Sequence, residues 1–169
     1  MSHDITKIIE NVVKEIAQNK AAPVEKVQNK PFEKMTLSVA RKIIEAVEQK
    51  ASEMGVRAVV AVCDAAGNPV AVECMDDAYI ASYDIAVNKA FTVVSLKMST
   101  KELAKLACPG GSLYGIQFTN NGRIVIFGGG EPLMKDGNVI GGLGVSGGTA
   151  QQDTLLGEYG RDYFINNLM

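Results

Sequence analysis

Two glycine runs and a few soft or charged side chains are the parts of this sequence that could do chemistry. Phe127–Pro132 reads FGGGEP and Gly144–Thr149 reads GVSGGT, and each follows an apolar stretch patterned as a strand. The second run leads straight into a helical pattern, where free backbone N–H groups and the helix dipole favour an anion. Gly128, Gly129, Gly130, Ser146, Gly147 and Gly148 are therefore candidates for holding a phosphate or carboxylate. The same glycines could equally serve strand-end turns or close packing against a neighbouring subunit. Neither run is a Walker loop, because no GK[ST] follows, and neither is a GxGxxG opening a βαβ unit.

Cys108-Pro109 is a second candidate, since a thiolate can ligate haem iron, as can methionine or tyrosinate. Met75, Met98 and Tyr114 are the alternatives, and Cys108 as a small buried hydrophobe is the plainer one. Lys89 lies in an apolar helical pattern beside Ala90 and Phe91. It could pair with an aspartate, meet a ligand carboxylate, or sit in solvent as an ordinary helical lysine. Asp64, Asp76, Asp77, Asp84 and Asp153 fall at turns or helix starts, where Asp is common as a cap. Ser146 lacks the GxSxG spacing of a nucleophile elbow. His3, near the N-terminus, is the single histidine, so residues 35–169 hold no Ser-His-Asp or Cys-His arrangement and no His-rich zinc site.

The elements that must position these groups follow from periodicity. Residues 4–17 place Ile5, Ile8, Ile9, Val12, Val13 and Ile16 on one side of a helix. A polar linker with Pro23 and Pro31 follows, so residues 1–34 read as an amphipathic helix plus tether and residues 35–169 as the domain. Thr36 caps a helix that Gly55 closes. Val56 to Cys63 and Val70 to Met75 form a hairpin around Asp64–Pro69. Helices are expected over 78–96, from the Ser99/Glu102 capping box to Ala107, and from the Thr149/Gln152 box to about Asn166. Arg123 to Phe127 and Asn138 to Val145 read as further strands. The expected class is α+β, an antiparallel sheet with helices packed on it.

Composition narrows the function. Of 169 residues 47% are hydrophobic, enough for a core, and the net charge of −2 with interspersed signs offers no stripe for nucleic acid. No apolar run reaches the roughly 20 residues of a membrane span, and no signal-peptide pattern opens the chain. Three cysteines without CxxC spacing suit a reducing compartment, so a cytoplasmic location is expected.

Beyond these patterns, the segments Leu37–Ala40, Val62–Asn68, Met75–Ala78, Lys89–Thr92, Gly128–Pro132 and Gly141–Gly148 closely resemble one family. It is the GlcG/HbpS/PduO-C-terminal haem-binding family, matched in order from about Met35 to the end. Leu113-Tyr114-Gly115 with Gly122–Phe127 is most similar to the branch fused to the propanediol-utilisation adenosyltransferase. The resemblance implies a profilin-like fold, homo-oligomers that are often octamers, and haem held near subunit contacts. It adds Lys89 and Asp76 to the glycine-loop residues as candidate cofactor contacts, with Cys108 as candidate axial ligand. In the propanediol branch a histidine ligates the iron, and this domain departs from that. The adenosyltransferase activity belongs to a separate helical domain absent here, so it is not expected of this chain. The helix-plus-linker pattern resembles tails that address enzymes to bacterial microcompartments, with a shell or cargo protein as partner of residues 4–17. The function expected is a haem-binding accessory in corrinoid or diol metabolism, without side-chain catalysis of its own. The alternatives are an enzyme or sensor for a small carboxylate or phosphate, or a structural oligomer.

Overall fold

Thr36 accepts the N–H of Val39 at 3.3 Å and opens α1 (Leu37–Glu53), whose buried stripe is Val39, Ala40, Ile43, Ile44, Val47 and Ala51. The helix ends at Gly55, whose φ of +69° is the left-handed conformation that suits glycine. This computed structural model describes residues 34–169 together with Lys7. The amphipathic helix expected over 4–17 and its linker otherwise lie outside the described residues.

β1 (Val59–Asp64) and β2 (Pro69–Cys74) form the first hairpin. The Asp64 carboxylate shapes its turn by accepting the N–H groups of Ala66 and Asn68, each at 2.9 Å. α2 (Ile80–Leu96) and α3 (Thr100–Ala107) follow, and then β3 (Gly130–Lys135), β4 (Asn138–Ser146) and α4 (Ala150–Asn167). Both expected capping boxes are present, at Ser99/Glu102 and Thr149/Gln152. The four strands run in the order β2-β1-β4-β3, every neighbouring pair antiparallel. Among the described residues, no helix is long and apolar enough to cross a membrane.

Strand alternation splits the core into two layers. Val60 and Val62 of β1 face α1 and α4, joining Ile43, Ile44, Leu156 and Phe164. Val59, Ala61 and Cys63 face α2, against Ala86, Ala90 and Val93. That apolar surround pushes the Cys63 thiol up to about 12. The α2 layer is a seam of small residues. A Cβ on Gly144 would run into the Ala86 carbonyl and lie 2.7 Å from the Ala90 nitrogen, so the helix rests almost directly on the strand.

One element departs from its expected form. Arg123 to Phe127 is not a strand, although Arg123-Ile124-Val125-Ile126-Phe127 has strand composition. Ile124 and Val125 are buried, and Val125 donates its N–H to the Thr92 hydroxyl of α2 at 3.0 Å instead of to a ladder. The strand begins later and takes in Gly130-Glu131-Pro132, part of the run expected to be a connecting loop. Pro132 is tolerated because β3 lies at the sheet edge.

The seam sets a stability test. Gly144→Ala forces α2 off β4 with backbone on the receiving side, so destabilisation by about 1–3 kcal/mol or more is expected in denaturant titrations. An unchanged midpoint would mean that α2 does not rest on β4 this closely.

Candidate functional site

Lys89 projects from the small-residue face of α2 and is wholly buried. Its ammonium donates to the Val145 carbonyl at 2.7 Å and to Asp153 Oδ2 at 2.8 Å. It also lies 4.8 Å from the centroid of the Phe127 ring, a cation–π distance. Of the placements open to Lys89 in the sequence, solvent is therefore ruled out and pairing with an aspartate is the one found. The helical pattern misleads here because the partners of Lys89, Val145 and Asp153, lie far along the chain and no local spacing marks them. Burial pushes the Lys89 ammonium down from the usual lysine range, and the Asp153 carboxylate opposes that shift.

Asp153 has a second task. Its Oδ1 accepts the N–H of Gly148 at 2.9 Å, while Thr149 and Gln152 cap one another's backbone. The carboxylate at this helix N-terminus is thus the chain's own, and the donors at Gly148, Thr149 and Gln152 are already engaged. The glycines have packing reasons as well. Gly129 has φ +113°, and a Cβ there would lie 2.7 Å from both Lys89 Nζ and the Val145 carbonyl oxygen. Gly128 packs on Thr154, and Gly130 donates its N–H to Thr100 Oγ1 at 2.9 Å. Gly147 abuts the backbone of Arg57 and Ala58, so a bulky residue there would disturb the fold itself.

Two open cavities flank Phe127 and share it and Ala150 as lining. One, of about 260 Å³, is bounded by Tyr79, Ser82, Ile85, Ser146, Gly147 and Asp153, with Gly148 at its edge. Ser146 donates to the Ser82 hydroxyl at 3.2 Å within it. The other, of about 470 Å³, is bounded by Lys101, Ala104, Gly128, Thr154, Leu155 and Glu158. The Phe127 ring is 41% exposed between them, with Tyr79 and Leu155 more exposed still. The structure thus gathers Gly128, Ser146, Gly147 and Gly148 around Phe127, with Lys89 and Gly129 directly behind.

The remaining candidates lie elsewhere. Asp76 lines a separate cleft with Glu45, Glu48, Arg57 and Glu73. Cys108 is exposed at the C-terminal end of α3, donates its thiol to the Lys105 carbonyl at 3.2 Å, and lines neither cavity. Nothing in the local sequence pattern marks Tyr79 or Lys101 as site residues, and Phe127 stands out only weakly. The one available signal was an aromatic side chain leading directly into a glycine run. Among the described residues, no group of three or more His, Cys, Asp or Glu side chains is arranged to hold a metal ion.

The family model for haem degrading protein HbpS-like matches residues 35–162. A 15.0 kDa protein encoded in the dhaT-dhaS intergenic region of Citrobacter freundii is 50% identical over 130 residues, covering 77% of this chain and 92% of that protein. The corrinoid adenosyltransferase PduO of Salmonella typhimurium is 35% identical over 145 residues, covering 85% of this chain but 43% of PduO, so the chain spans less than half of that enzyme. Among solved structures, Klebsiella pneumoniae ORFY superposes with TM-score 0.77 at 44% identity, covering 82% of this chain and 97% of that one. The PduOC:heme complex gives 0.73 at 35%, covering 76% and 94%. A Streptomyces reticuli HbpS variant gives 0.71 at 30%, covering 84% and 96%. On these matches the chain belongs to the HbpS-like family, the GlcG/HbpS/PduO-C-terminal group whose motifs run through its sequence.

Proposed function

We propose that this chain is a haem-binding accessory protein whose tetrapyrrole lies across Phe127. The observation that carries the proposal is the half-exposed Phe127 ring, fixed from behind by a buried ammonium and open in front to two adjoining cavities. Ligand sites commonly enclose roughly 300–1,000 Å³ with mostly apolar walls and a few polar groups, and the 470 Å³ groove has that character. Phe127, Ala104 and Leu155 would hold the face of the macrocycle, and Tyr79 stands in the adjoining cavity as a phenol able to ligate iron. Cys108 lines neither cavity, so it is not among the residues that would hold the group. Bound haem supplies an iron centre for electron transfer or small-ligand binding. The chain's part is to bind the ring, orient it and exclude water from one face.

Binding is favoured over turnover because Lys89 and Asp153 are engaged with each other, with Val145 and with Gly148. The same engagement argues against a small phosphate or carboxylate seated at the start of α4. Tyr79, on the lining of the smaller cavity, and its neighbour Ile80 are 74% and 97% exposed, an apolar surface that supports a homo-oligomer in which a second copy covers it. Two relatives named corrinoid adenosyltransferase support a setting in corrinoid metabolism, and a cytoplasmic, microcompartment location is part of the same reading. Residues 4–17 would be the address, an aliphatic helix face docking on a shell or cargo protein.

Titrating the purified chain with haem should produce a shifted, saturable Soret band. Burying an aromatic side chain is worth about 1.5–3 kcal/mol, so Phe127→Ala should weaken binding by about 10- to 100-fold. No Soret shift with the intact protein would defeat the proposal.

Lys89→Met leaves the Asp153 carboxylate buried and unpaired, a cost of about 3–5 kcal/mol in unfolding free energy. Adding Asp153→Asn, which keeps an acceptor for Gly148, should recover most of it. Equal stability of single and double variants would show that the pair does not couple.

A fluorescent protein carrying residues 1–30 should form puncta in cells that make microcompartments and become diffuse on Ile9→Glu. Diffuse signal from both versions would dismiss the address.

A further inference from the structure

The groove beside Phe127 has a chemistry that its apolar walls do not explain. Ala104, Phe127, Gly128, Ala150 and Leu155 make it apolar, yet Lys101 and Glu158 stand on its lining as an ion pair with Nζ–Oε1 of 2.8 Å. The two side chains are 52% and 30% exposed, so the pair is solvated and contributes little to folding. Lys101 comes from the first turn of α3 and Glu158 from the middle of α4, so their meeting is a property of the tertiary fold. Glu158 strengthens the proton hold of Lys101, and Glu131 adds to this while Arg161 opposes it, so the ammonium is a firm cation. Ala150 and Gln151, the first residues of α4, line the same groove.

An apolar wall with one cation on its lining matches an amphiphile with a flat apolar body and a carboxylate edge. We propose that Lys101 recognises a carboxylate of the tetrapyrrole, and that Glu158 is an internal competitor which the ligand displaces. This rests on the haem-binding reading of the groove. The exchange swaps one solvated carboxylate partner of Lys101 for another, so it requires no loss of a buried interaction. It also predicts selectivity, since a ligand with the same ring and no free carboxylate has nothing to offer Lys101. Small carboxylates alone gain nothing from the apolar wall and should not compete.

The test uses the full chain and metal-free protoporphyrin IX, followed by fluorescence, beside its dimethyl ester. The wild-type protein should bind the free acid more tightly than the ester. Lys101→Met should weaken the acid about tenfold and leave the ester unchanged, as expected for loss of a charge-assisted hydrogen bond, while Lys101→Arg retains the preference. Glu158→Gln should tighten the acid by removing the competitor. Thermal melts of these variants should match the wild type, because the pair is exposed. Succinate should not displace the porphyrin; displacement by it would reassign the site to small dicarboxylates and overturn the proposal. Equal affinities of wild type and Lys101→Met for the free acid would overturn the role of Lys101 while leaving haem binding intact. Failure of the wild type to bind either porphyrin would remove the haem reading itself, and this proposal with it.

Discussion

A lysine ammonium with no exposed surface must find partners for all of its charge inside the protein, and that requirement organises the domain around Lys89. Its partners come from different layers: the Val145 carbonyl from β4, the Asp153 carboxylate from α4, and the Phe127 ring from the segment entering β3. α2 packs on one face of the sheet and α4 on the other, so the ammonium joins both helical layers at the end of β4. Replacing such a pair with apolar groups is often tolerated, whereas breaking it leaves a buried charge. Its value here is better argued as geometry: it determines where Phe127 stands and how the Gly147–Gly148 turn meets the first turn of α4.

That junction depends on a close approach which only small residues permit. Gly142 and Gly144 of β4 lie under the backbone of α2 at Ala86 and Ala90, and Gly129 passes directly beside Lys89 Nζ. With larger side chains in the seam, α2 would stand farther from the sheet and the lysine could not span to Asp153. The glycine density of the last third therefore reflects packing first. The proposed binding would use the surface that this packing exposes.

Local physics explains which parts of this were legible in the sequence. The Thr36 cap and the boxes at Ser99/Glu102 and Thr149/Gln152 join residues three apart, and β1 lies in a nearly unbroken apolar run, so each pattern is visible over a short window. The Lys89–Asp153 pair spans 64 residues and the Lys101–Glu158 pair spans 57, and no local pattern marks either partner. Arg123–Phe127 misleads for a related reason. Its composition reports burial and extension, but the Thr92 hydroxyl satisfies Val125 where a strand neighbour would have been expected. Asp76 and Cys108 are placed by turns whose position relative to Phe127 depends on the whole topology, and the fold puts neither on the two cavities beside it.

The two charge pairs near Phe127 differ in a way that suits a binding site. Behind the ring, Lys89 and Asp153 are sealed from water and tied to backbone groups, so exchanging either partner would strand a buried charge. In front, Lys101 and Glu158 are solvated, and either can change partners at small cost. A ligand arriving at the groove thus meets a wall whose position does not respond to it and a rim whose charges can rearrange around it. Reversing the placement would make the wall yield and leave the rim unable to exchange. Rigidity behind and lability in front allow a flat apolar ligand to be seated without being trapped, which is what the proposed binding requires.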